Sequence, residues 1–576
     1  MRINKTKSKN NEHYSIIQDI TKNGKRTTRV YENIGNYEKL KSRAGDKDPF
    51  IWLNEYVEKL NKENKNKELL VIIKKYENKL IDLDKINSYN IGYLFLQKIY
   101  YNLKLNYICE EITNKYQFKF DFNSILSTLI YSRIIYPSSK LKTLELSKRF
   151  IEKPNFEYQH ISRALEIIAK EMDFIQSEVY KNSEKFVQRN NKILYYDCTN
   201  FFFEIEEEDG LKQYGKSKEN RPNPIVQMGL FMDGDGLPLA FDITSGNTNE
   251  QTTLKPLEQK IIKDFQTSKF VVFTDAGLAS SANRKFNNIN SRNFITTQSI
   301  KKLKEHLKDW CLDLTKGWKL FGSDKKYNIS KLREDEKLIN IYKDKTFYKE
   351  RWINEDGLEQ RLIVTYSVKY QEYQKSIREK QLDRARKLIE TNPKKIGKAK
   401  QNDFKRFIET TVTTPQGEVA EENHYNINEE KIIEESKYDG LYAVCTNLED
   451  DANSIIKTNH NRWEIEESFR IMKSEFKSRP VYLSRDDRIK AHFVTCFLAL
   501  LVFRYLEKKL NNEYTAYEII ETLKEMNLKL ENNGYYSPIY TRTNLTDKLH
   551  DEYQFRTDYE ILSEKNLKKI FSSTKK

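Results

Sequence analysis

Hydrophobic and polar residues follow a strand-like pattern most clearly in the central part of the chain. Residues 192–203 read KILYYDCTNFFF, an aromatic and β-branched run that predicts a strand. A short continuous apolar run at 269–274 is typical of a buried parallel strand. Further strands are predicted at 225–232, 237–244 and 293–300, with helices at 251–265 and 280–286. The Asp-Gly sequence between the second and third strands predicts a hairpin turn.

Helical patterns dominate on both sides of this region. Helices are predicted through most of 48–185 and again after about residue 511. The apolar run 493–503 is far shorter than the ~20 residues that cross a membrane, so it predicts a buried helix. Near the start, residues 14–34 predict a charged hairpin that turns at Asn23 and Gly24.

Roughly 150 residues separate the fifth strand from the next helix of interest, too many for a loop in a compact domain. They should therefore form structure of their own. Strands are predicted at 318–321, 337–342, 361–367 and 440–446, and a charged helix at 368–389. The basic run 394–400 either contacts a polyanion or forms a solvated linker, and the pattern favours the linker.

Composition narrows the class of protein. The chain has 576 residues, and 100 Lys and Arg against 85 Asp and Glu give a net charge of +15. This balance favours a polyanionic partner, although Lys-rich surfaces without a ligand are common. The length predicts several domains. Five scattered cysteines without a CxxC pair indicate neither a disulfide framework nor a zinc site. The polar, basic N-terminus predicts no signal peptide, so we expect a cytoplasmic, nucleoid-associated protein that binds no membrane.

A helix beginning near Arg462 carries the first candidate site residue. With Arg462 at zero on a helical wheel, Glu466 falls at about 40° and Lys473 at about 20°. Beside them runs a hydrophobic stripe that predicts the buried face: Ile465, Phe469, Met472 and Phe476. Glu464 and Glu467 are predicted to point toward water. The alternative is a simple i,i+4 Arg–Glu pair on a solvated helix.

Two aspartates upstream strengthen the functional interpretation of Glu466. Asp197 lies within the 192–203 strand, where aspartate is depleted and is rarely buried without a partner. Asp275 follows the 269–274 strand, at the carboxyl end where open α/β sheets bind ligands. Either aspartate could instead cap a helix or start a turn, an interpretation that is about as strong as the functional one for Asp275.

The element order β-β-β-α-β-α-β, with acids on the first and fourth strands and a glutamate on a late helix, predicts a ribonuclease-H-like core. The predicted fold is α/β, of a multidomain α+β kind. A largely β segment is predicted to interrupt this core, and the N-terminal and C-terminal regions are predicted to be helical.

These residues resemble a known family. Arg462, Glu466 and Lys473 fit the Tyr-x2-Arg-x3-Glu-x6-Lys signature of DDE transposases from insertion sequences, the YREK type, although Asn459 occupies the tyrosine position. The remaining motifs fit one subgroup of that family. They are the loop 215–222, Gly229, Asp233, 236–238, 246–250, 477–482 and His492.

The resemblance implies the chemistry of the site. Asp197 is expected to bind both of two Mg²⁺ or Mn²⁺ ions, and Asp275 and Glu466 one ion each, because hard cations take oxygen ligands. The residues expected to bind DNA are Arg462, Lys473, Trp463, Lys216, Lys218 and Arg221. For Trp463, stacking on an extruded base and packing in the core remain alternatives.

The resemblance also divides the chain. The N-terminal region 1–110 is expected to bind transposon ends, followed by a helical region, 111–190. The catalytic core is expected at 191–310 and 450–510, around the insertion domain 311–449. The C-terminal region 511–576 is expected to support dimerisation. The expected partners are double-stranded terminal inverted repeats, target DNA and a second copy of the chain in a synaptic complex.

Three functions are compatible with the sequence. The favoured one is a cut-and-paste transposase. A host-retained nuclease on the same fold would need the same three acids. A DNA-binding protein or repressor would carry acids that are only structural.

Overall fold

A computed structural model of the chain describes residues 1–8, 11–22, 25–65, 71–289, 291–393, 396, 403–413, 419–531 and 534–576. These residues form two compact units, Met1–Ile81 and Asp82–Lys576. The predicted turn at Asn23 and Gly24 lies outside the described residues, as does all of the basic run 394–400 except residue 396.

The first unit is a three-stranded antiparallel sheet with two helices. Its elements are β1 (Arg2–Ser8), β2 (Asn11–Lys22), β3 (Lys25–Asn36), α1 (Tyr37–Ala44) and α2 (Pro49–Lys65). The predicted hairpin is confirmed by the pairing of β2 with β3. Alternating residues of both strands, such as Tyr14, Ile16 and Ile34, pack against Leu40 of α1 and Leu53 of α2.

The second unit opens with a short strand and six helices, as the helical pattern predicts. They are β4 (Ser88–Asn90), α3 (Tyr93–Asn102), α4 (Leu105–Tyr116), α5 (Phe122–Ile135), α6 (Lys140–Ser147), α7 (Tyr158–Lys170) and α8 (Met172–Phe186). Asp121 caps α5 by accepting a hydrogen bond from the backbone N–H of Ser124.

The central region has the predicted order of strands and helices. Its elements are β5 (Ile193–Phe202), β6 (Ile225–Asp233), β7 (Pro238–Ser245), α9 (Leu254–Asp264), β8 (Phe270–Thr274), α10 (Ser281–Phe286) and β9 (Arg292–Thr297). At the predicted turn, Asp233 accepts hydrogen bonds from the backbone of Asp235 and Leu237, and Gly236 has a φ of +73°.

The next segment mixes helices and strands. They are α11 (Glu305–Leu312), β10 (Trp318–Leu320), β11 (Lys326–Tyr327), α12 (Ile329–Glu334), α13 (Glu336–Tyr342), β12 (Thr346–Glu355), β13 (Leu358–Ser367), α14 (Val368–Thr391), β14 (Ile408–Thr413), β15 (Val419–Ile427), α15 (Glu429–Ser436) and β16 (Leu441–Thr446). The predicted strand at 337–342 is wrong, because those residues form most of α13. Asp335 caps that helix by accepting from the backbone of Lys337 and Leu338.

Three helices follow: α16 (Ala452–His460), α17 (Trp463–Ser474) and α18 (Asp486–Lys509). The predicted stripe is confirmed, since Ile465, Phe469, Met472 and Phe476 are all buried. Helix α18 is confirmed as a buried helix. It is long and apolar enough to cross a membrane, yet 94% of its most apolar window is buried inside the protein.

The chain ends with α19 (Ala516–Glu525), β17 (Asn527–Leu530), β18 (Tyr535–Pro538), α20 (Asn544–Tyr553), β19 (Leu562–Ser563) and α21 (Glu564–Thr574). The predicted helices are present in the C-terminal region, but the sequence did not predict the three short strands between them. Three short strands join β4 in a four-stranded sheet of order β19-β18-β17-β4. Strands this short leave no clear alternating pattern to detect.

One mixed sheet organises the second unit, in the order β11-β10-β12-β13-β16-β9-β8-β5-β6-β7. In this sheet β8 lies between β5 and β9 and is parallel to both of them. All other neighbouring strands in the sheet pair antiparallel. Five strands from the predicted insertion continue this sheet through the pairing of β16 with β9. The second unit is thus a mixed α/β structure with a single large sheet.

Candidate active site

Strand pairing brings Asp197 and Asp275 together. Strand β5 lies parallel to β8, with Tyr195 opposite Phe273. Each aspartate follows two residues later in its own segment, and residues two apart on a strand share a face. The pairing ends at Tyr195 and Phe273, and Asp275 follows the last residue of β8, so both aspartates lie near the carboxyl end of β8, close enough for the Asp275 charge to raise the pKa of Asp197.

Alternation along β5 determines which layer Asp197 faces. Tyr195 and Phe201 belong to the core cluster that also contains residues of α17 and α18. Tyr196 and Cys198 belong to another cluster, on the opposite face of the strand. Asp197 thus faces the helical layer. Its position in mid-strand gives it a fixed backbone on both sides.

The Asp197 carboxyl group is half-buried and weakly solvated. Its Oδ1 accepts a hydrogen bond from the backbone N–H of Cys198 at 2.7 Å. Burial raises the pKa of Asp197 to about 6; the Lys218 ammonium opposes this shift and the Asp275 carboxylate adds to it. A second acid beside a buried acid disfavours ionisation of the pair unless a cation is present.

Asp275 has the turn-forming role that the sequence left open. Its Oδ1 accepts from the backbone N–H of Leu278 at 2.9 Å. Within the described residues, its Oδ2 has no hydrogen-bond partner. Capping a turn and binding a cation are compatible, because the carboxylate has two oxygens with several acceptor positions.

Lys473 of α17 reaches the same strand. Its Nζ donates to Thr199 Oγ1 at 2.6 Å, two residues beyond Asp197. Burial lowers the pKa of Lys473 to about 8, and nearby Lys218 lowers it further, whereas Asp197 raises it. Lys473 therefore supplies a partly desolvated cationic group next to the aspartates.

The loop after β5 supplies Lys218. Its ammonium hydrogen-bonds the carbonyl oxygen of Cys198 and lies 3.6 Å from Glu250 Oε1. Asn200 holds this loop in place, since its side chain donates to the Lys216 carbonyl at 3.1 Å and accepts from the Lys218 N–H at 3.3 Å. The strand that carries Asp197 thus also positions Lys218.

Two further basic residues of this loop face solvent, whereas Lys212 is buried. Lys216 and Arg221 are both exposed. The Arg221 guanidinium carbon lies 4.1 Å from the centre of the Phe202 ring, close enough for a cation–π contact. Both side chains are accessible to a ligand that approaches this edge.

Arg462, Glu466 and Lys473, at or in helix α17, differ in how they approach the aspartates. Arg462 lies just before the helix, and its charge lowers the pKa of Asp197. Its Nη2 lies 3.4 Å from Glu466 Oε1. Its Nη1 is buried without a hydrogen-bond partner among the described residues. Arg462 thus interacts electrostatically with both the helical glutamate and the strand aspartate.

The Glu466 side chain is 62% exposed and turned toward Arg462. No group of three or more His, Cys, Asp and Glu side chains in the described residues is arranged to hold a metal ion. The structure therefore brings Asp197 and Asp275 together and leaves Glu466 apart from them, in an ion pair that water can reach.

The prediction that Glu464 and Glu467 point toward water is wrong. Glu464 Oε2 accepts from Arg504 Nη2 of α18 at 2.9 Å, and its side chain is only 24% exposed. Glu467 is largely covered and pairs with Arg470. The wheel placed them opposite the hydrophobic stripe, but α18 provides an arginine that covers this side.

Trp463 is 59% exposed, so the alternative of core packing is excluded for its side chain. Asn459, at the expected tyrosine position, is buried and donates to Tyr442 Oη at 2.8 Å. Its own Oδ1 has no partner within the described part of the chain.

Glu219, Arg479 and Thr199 contact the site and were not singled out from the sequence. Glu219 forms an ion pair with Arg479 and lies 3.8 Å from Lys473 Nζ. Glu219 and Arg479 both fall inside motifs of the family resemblance, which could have drawn attention to them. Thr199 gives no such signal beyond lying two residues after Asp197.

The donor set fits a hard divalent cation. Asp197 and Asp275 offer carboxylate oxygens, the ligands preferred by Mg²⁺ and Mn²⁺. The nearest thiol, Cys198, faces away from the site, and burial raises the pKa of Cys198 to about 12. A soft metal would find no thiolate here.

Comparisons with known proteins show which solved structures and families this chain is similar to. This chain is similar to the solved structure of a piggyBac transposase synaptic complex with hairpin DNA. The match covers 75% of this chain and 78% of the piggyBac chain, with 8% sequence identity and a TM-score of 0.35. A likeness at this level supports no statement about this chain. A search of curated protein sequences finds no match.

The family model described as Transposase DDE domain matches residues 200–502, just over half of the chain. This range contains Asp275 and Glu466, the paired strands β6–β9 and the helices α16 and α17. Asp197 lies three residues before its start, on the strand in which the match begins. The chain therefore belongs to the transposases with a DDE domain.

Proposed function

We propose that this transposase cuts transposon ends and joins them to target DNA by a cut-and-paste route that depends on divalent metal ions. Asp197, Asp275 and Glu466 are the proposed metal-binding carboxylates. The observation that carries this proposal is the parallel pairing of β5 with β8, which brings Asp197 close to Asp275 at the end of β8, where Lys473 of the helix that bears Glu466 also reaches β5.

Two bound cations would stabilise the charge that develops on the attacking and leaving oxygens in phosphoryl transfer. The chain's own residues fix the geometry. Strand β5 holds Asp197 rigidly, and the turn at Leu278 orients Asp275. Lys473 and Lys218 lie beside Asp197 and would attract the phosphates of the DNA strand.

Arg462 couples DNA binding to assembly of the site. A DNA phosphate that takes the Arg462 guanidinium competes with Glu466 for it, because both are anionic oxygen donors. Release from Arg462 would free the exposed Glu466 side chain to rotate toward the aspartates. In this proposal the third acid joins the site only when DNA is bound.

The finer assignments follow from the same family membership. We assign the YREK type on Arg462, Glu466 and Lys473, with Trp463 available to stack on an unpaired base. The ribonuclease-H-like core comprises 191–310 and 450–510, interrupted by 311–449. Lys216 and Arg221 bind the backbone of the ends.

The remaining regions are assigned to DNA-end binding and assembly. Residues 1–110 bind the transposon ends, and the helical region 111–190 follows them in the sequence. Residues 511–576 support a homodimer. The proposed location is the cytoplasm, at the nucleoid, with terminal inverted repeats and target DNA as partners.

The test compares Asp197→Asn with a matched control, Asp242→Asn, in cleavage of labelled transposon-end DNA with Mg²⁺. Asp242 is another half-buried, mid-strand aspartate that accepts from its neighbour's backbone N–H. We expect Asp197→Asn to abolish cleavage and joining while it still binds DNA. Full cleavage by Asp197→Asn would refute the site assignment.

A product assay separates the three functions. Paired ends and a target plasmid yield joined products from a transposase, but only cut ends from a host nuclease. A repressor binds the ends and yields neither product, with or without Asp197.

A further inference from the structure

A cavity of about 570 Å³ lies between the start of α6 and the segment that follows α17. Every side chain in its lining that is charged or has an ordinary pKa near neutrality is basic, and the structure describes all of them. They are Arg133, Lys140, Lys142, Lys477, Arg479 and His492. Lys142 pairs with Glu145 and Arg479 with Glu219, and burial holds the pKa of His492 well below its usual value. The buried cations Arg133 and Lys140 have no carboxylate partner among the described residues, which indicates a site for an anion.

Lys140 is the residue that most clearly indicates an anion-binding role for the cavity. It is the first residue of α6 and is only 8% exposed. Among the described residues its ammonium has no hydrogen-bond or ion-pair partner. Burial and the nearby Arg133 guanidinium together lower the pKa of Lys140 to about 7. A buried cation without a partner is costly, and an anion bound in the cavity would offset that cost and favour the charged ammonium.

Arg133 adds a second buried cation to the same cavity. It is 5% exposed and donates to the backbone carbonyls of Phe476 and Ser138 at 3.1 and 3.3 Å. Its Nε is buried without a partner among the described residues. These neutral carbonyls orient the guanidinium but leave its charge uncompensated.

The start of α6 favours the same ligand. Ser139 caps this eight-residue helix, and Ser139 through Lys142 line the cavity. The N-terminus of a helix carries a partial positive charge and free N–H groups, which suit phosphate.

The cavity has room for more than a phosphate. Its volume lies within the usual range for small-molecule sites. Tyr158 and Tyr482, both exposed, stand in its lining and offer aromatic faces to a base. Leu141, Pro480 and Val481 supply apolar surface.

Residues that line the cavity also contact the candidate active site. Val481 donates its backbone N–H to the Phe202 carbonyl at 3.3 Å, at the end of β5. Arg479 lines the cavity and also pairs with Glu219, which approaches Lys473. DNA that lies on the active site would therefore pass the mouth of this cavity.

We propose that the cavity binds one phosphate of the DNA strand, with its nucleoside, at a position away from the reacting phosphate. Lys140 and Arg133 hold the phosphate, and the two tyrosines contact the base. This inference rests on the proposed function for the identity of the ligand as DNA, but not on the metal-binding acids.

Lys140→Met tests the proposal, because methionine is of similar length and removes only the charge. The control is Lys148→Met, which removes an exposed lysine just after the same helix and outside the cavity. Binding of a labelled duplex with a short single-stranded extension is measured by anisotropy, with chelator present so that metal plays no part.

We expect Lys140→Met to weaken DNA binding about tenfold and to reduce the slope of log K against log salt by about 0.7 to 0.9, the value of one phosphate contact. The control should match the wild type. The melting temperature of Lys140→Met without DNA should stay the same or rise, because an uncompensated buried charge is removed.

Two results would overturn the proposal. One is unchanged DNA affinity together with a lower melting temperature, which would make Lys140 structural. The other is weakened binding of inorganic phosphate or free dAMP with unchanged DNA binding, which would assign the cavity to a free ligand. Asp197→Asn serves as an internal check. It should bind DNA normally in chelator, so a failed metal site and a failed cavity give different results.

Discussion

Two aspartates in the large sheet have nearly the same local structure and different surroundings. Asp197 on β5 and Asp242 on β7 are both half-buried, and each accepts a hydrogen bond from the backbone N–H of the next residue. Burial raises the pKa of both. Neither burial nor a raised pKa therefore distinguishes a catalytic aspartate in this molecule.

The neighbours make the difference. Each aspartate has two basic groups that lower its pKa and one acid that raises it. For Asp242 they are Lys260, Lys490 and Asp173, and for Asp197 they are Lys218, Arg462 and Asp275. The difference is where the second acid lies: Asp275 comes directly after β8, the strand that pairs in parallel with β5, whereas Asp173 lies on α8. The comparison teaches that a second acid at the end of the neighbouring parallel strand is what marks a candidate metal site here.

The largest expected effect is that of Asp275→Asn on the rate of end cleavage. Loss of a metal ligand should reduce the initial rate of end cleavage about 10³-fold, since metal stabilisation of the transition state is worth several kcal/mol. Asp242→Asn should stay within about threefold of wild type, because no metal or substrate contact is lost. Rates are measured on labelled end DNA at saturating Mg²⁺. Equal losses in the two variants would remove the distinction between the two positions.

The next effect extends the comparison to α17. Glu466→Gln should lower the cleavage rate about 10²-fold or more, with little change in stability, because its side chain is exposed. Glu464→Gln should cost about 1 kcal/mol of stability through Arg504 and leave the rate nearly unchanged. Rates and urea unfolding are measured for both variants. The reverse pattern would place the third acid at Glu464.

A smaller effect is expected on the stability of the metal-free protein. The pKa of Asp197 is raised from 3.8 to about 6 in the folded protein, so its ionisation opposes folding. The resulting loss of stability should be absent below pH 3.8, grow up to about pH 6 and be complete above it.

Asp197→Asn removes this loss, and we expect it to be more stable than wild type at pH 8 by on the order of 2 kcal/mol. Urea unfolding with chelator, at pH 4 and pH 8, measures the difference. Added Mn²⁺ should stabilise the wild type and Asp242→Asn but not Asp197→Asn. If the difference in unfolding free energy between Asp197→Asn and the wild type were the same at pH 4 and pH 8, the raised pKa of Asp197 would be contradicted.

The smallest effect concerns the coupling of the two acids. Asp275→Asn removes a charge that raises the pKa of Asp197, so that pKa should fall. The pH at which the stability of Asp275→Asn changes should move lower than in wild type. The same measurement on Asp242→Asn should show no movement of the Asp197 transition.

Much of the central region could be predicted from the sequence because its signals are local. The strand at β5, the apolar run at β8 and the stripe from Ile465 to Phe476 have strong, regular patterns. An aspartate inside an aromatic strand is conspicuous for the same reason. These features pointed to Asp197 and Asp275 before their register was known.

What was missed depends on contacts between distant segments. Glu464 is covered because Arg504 lies on another helix, which a helical wheel does not include. The cavity at Lys140 needs α6 and the segment after α17 to meet. The α13 segment is short enough for strand and helix patterns to coincide, and the cap at Asp335 decides between them.

The pairing of β16 with β9 has a mechanical consequence. Hydrogen-bonded strands run without interruption from β7, past both aspartates, to β11 at the far edge. A continuous ladder of hydrogen-bonded strands resists hinge bending. We therefore do not expect the far strands to close over the acids by a hinge motion. Completion of the reacting centre is left to smaller adjustments, such as rotation of one glutamate side chain or a slight tilt of α17. Slow, large-scale closure is therefore not expected to limit the rate of the first cut.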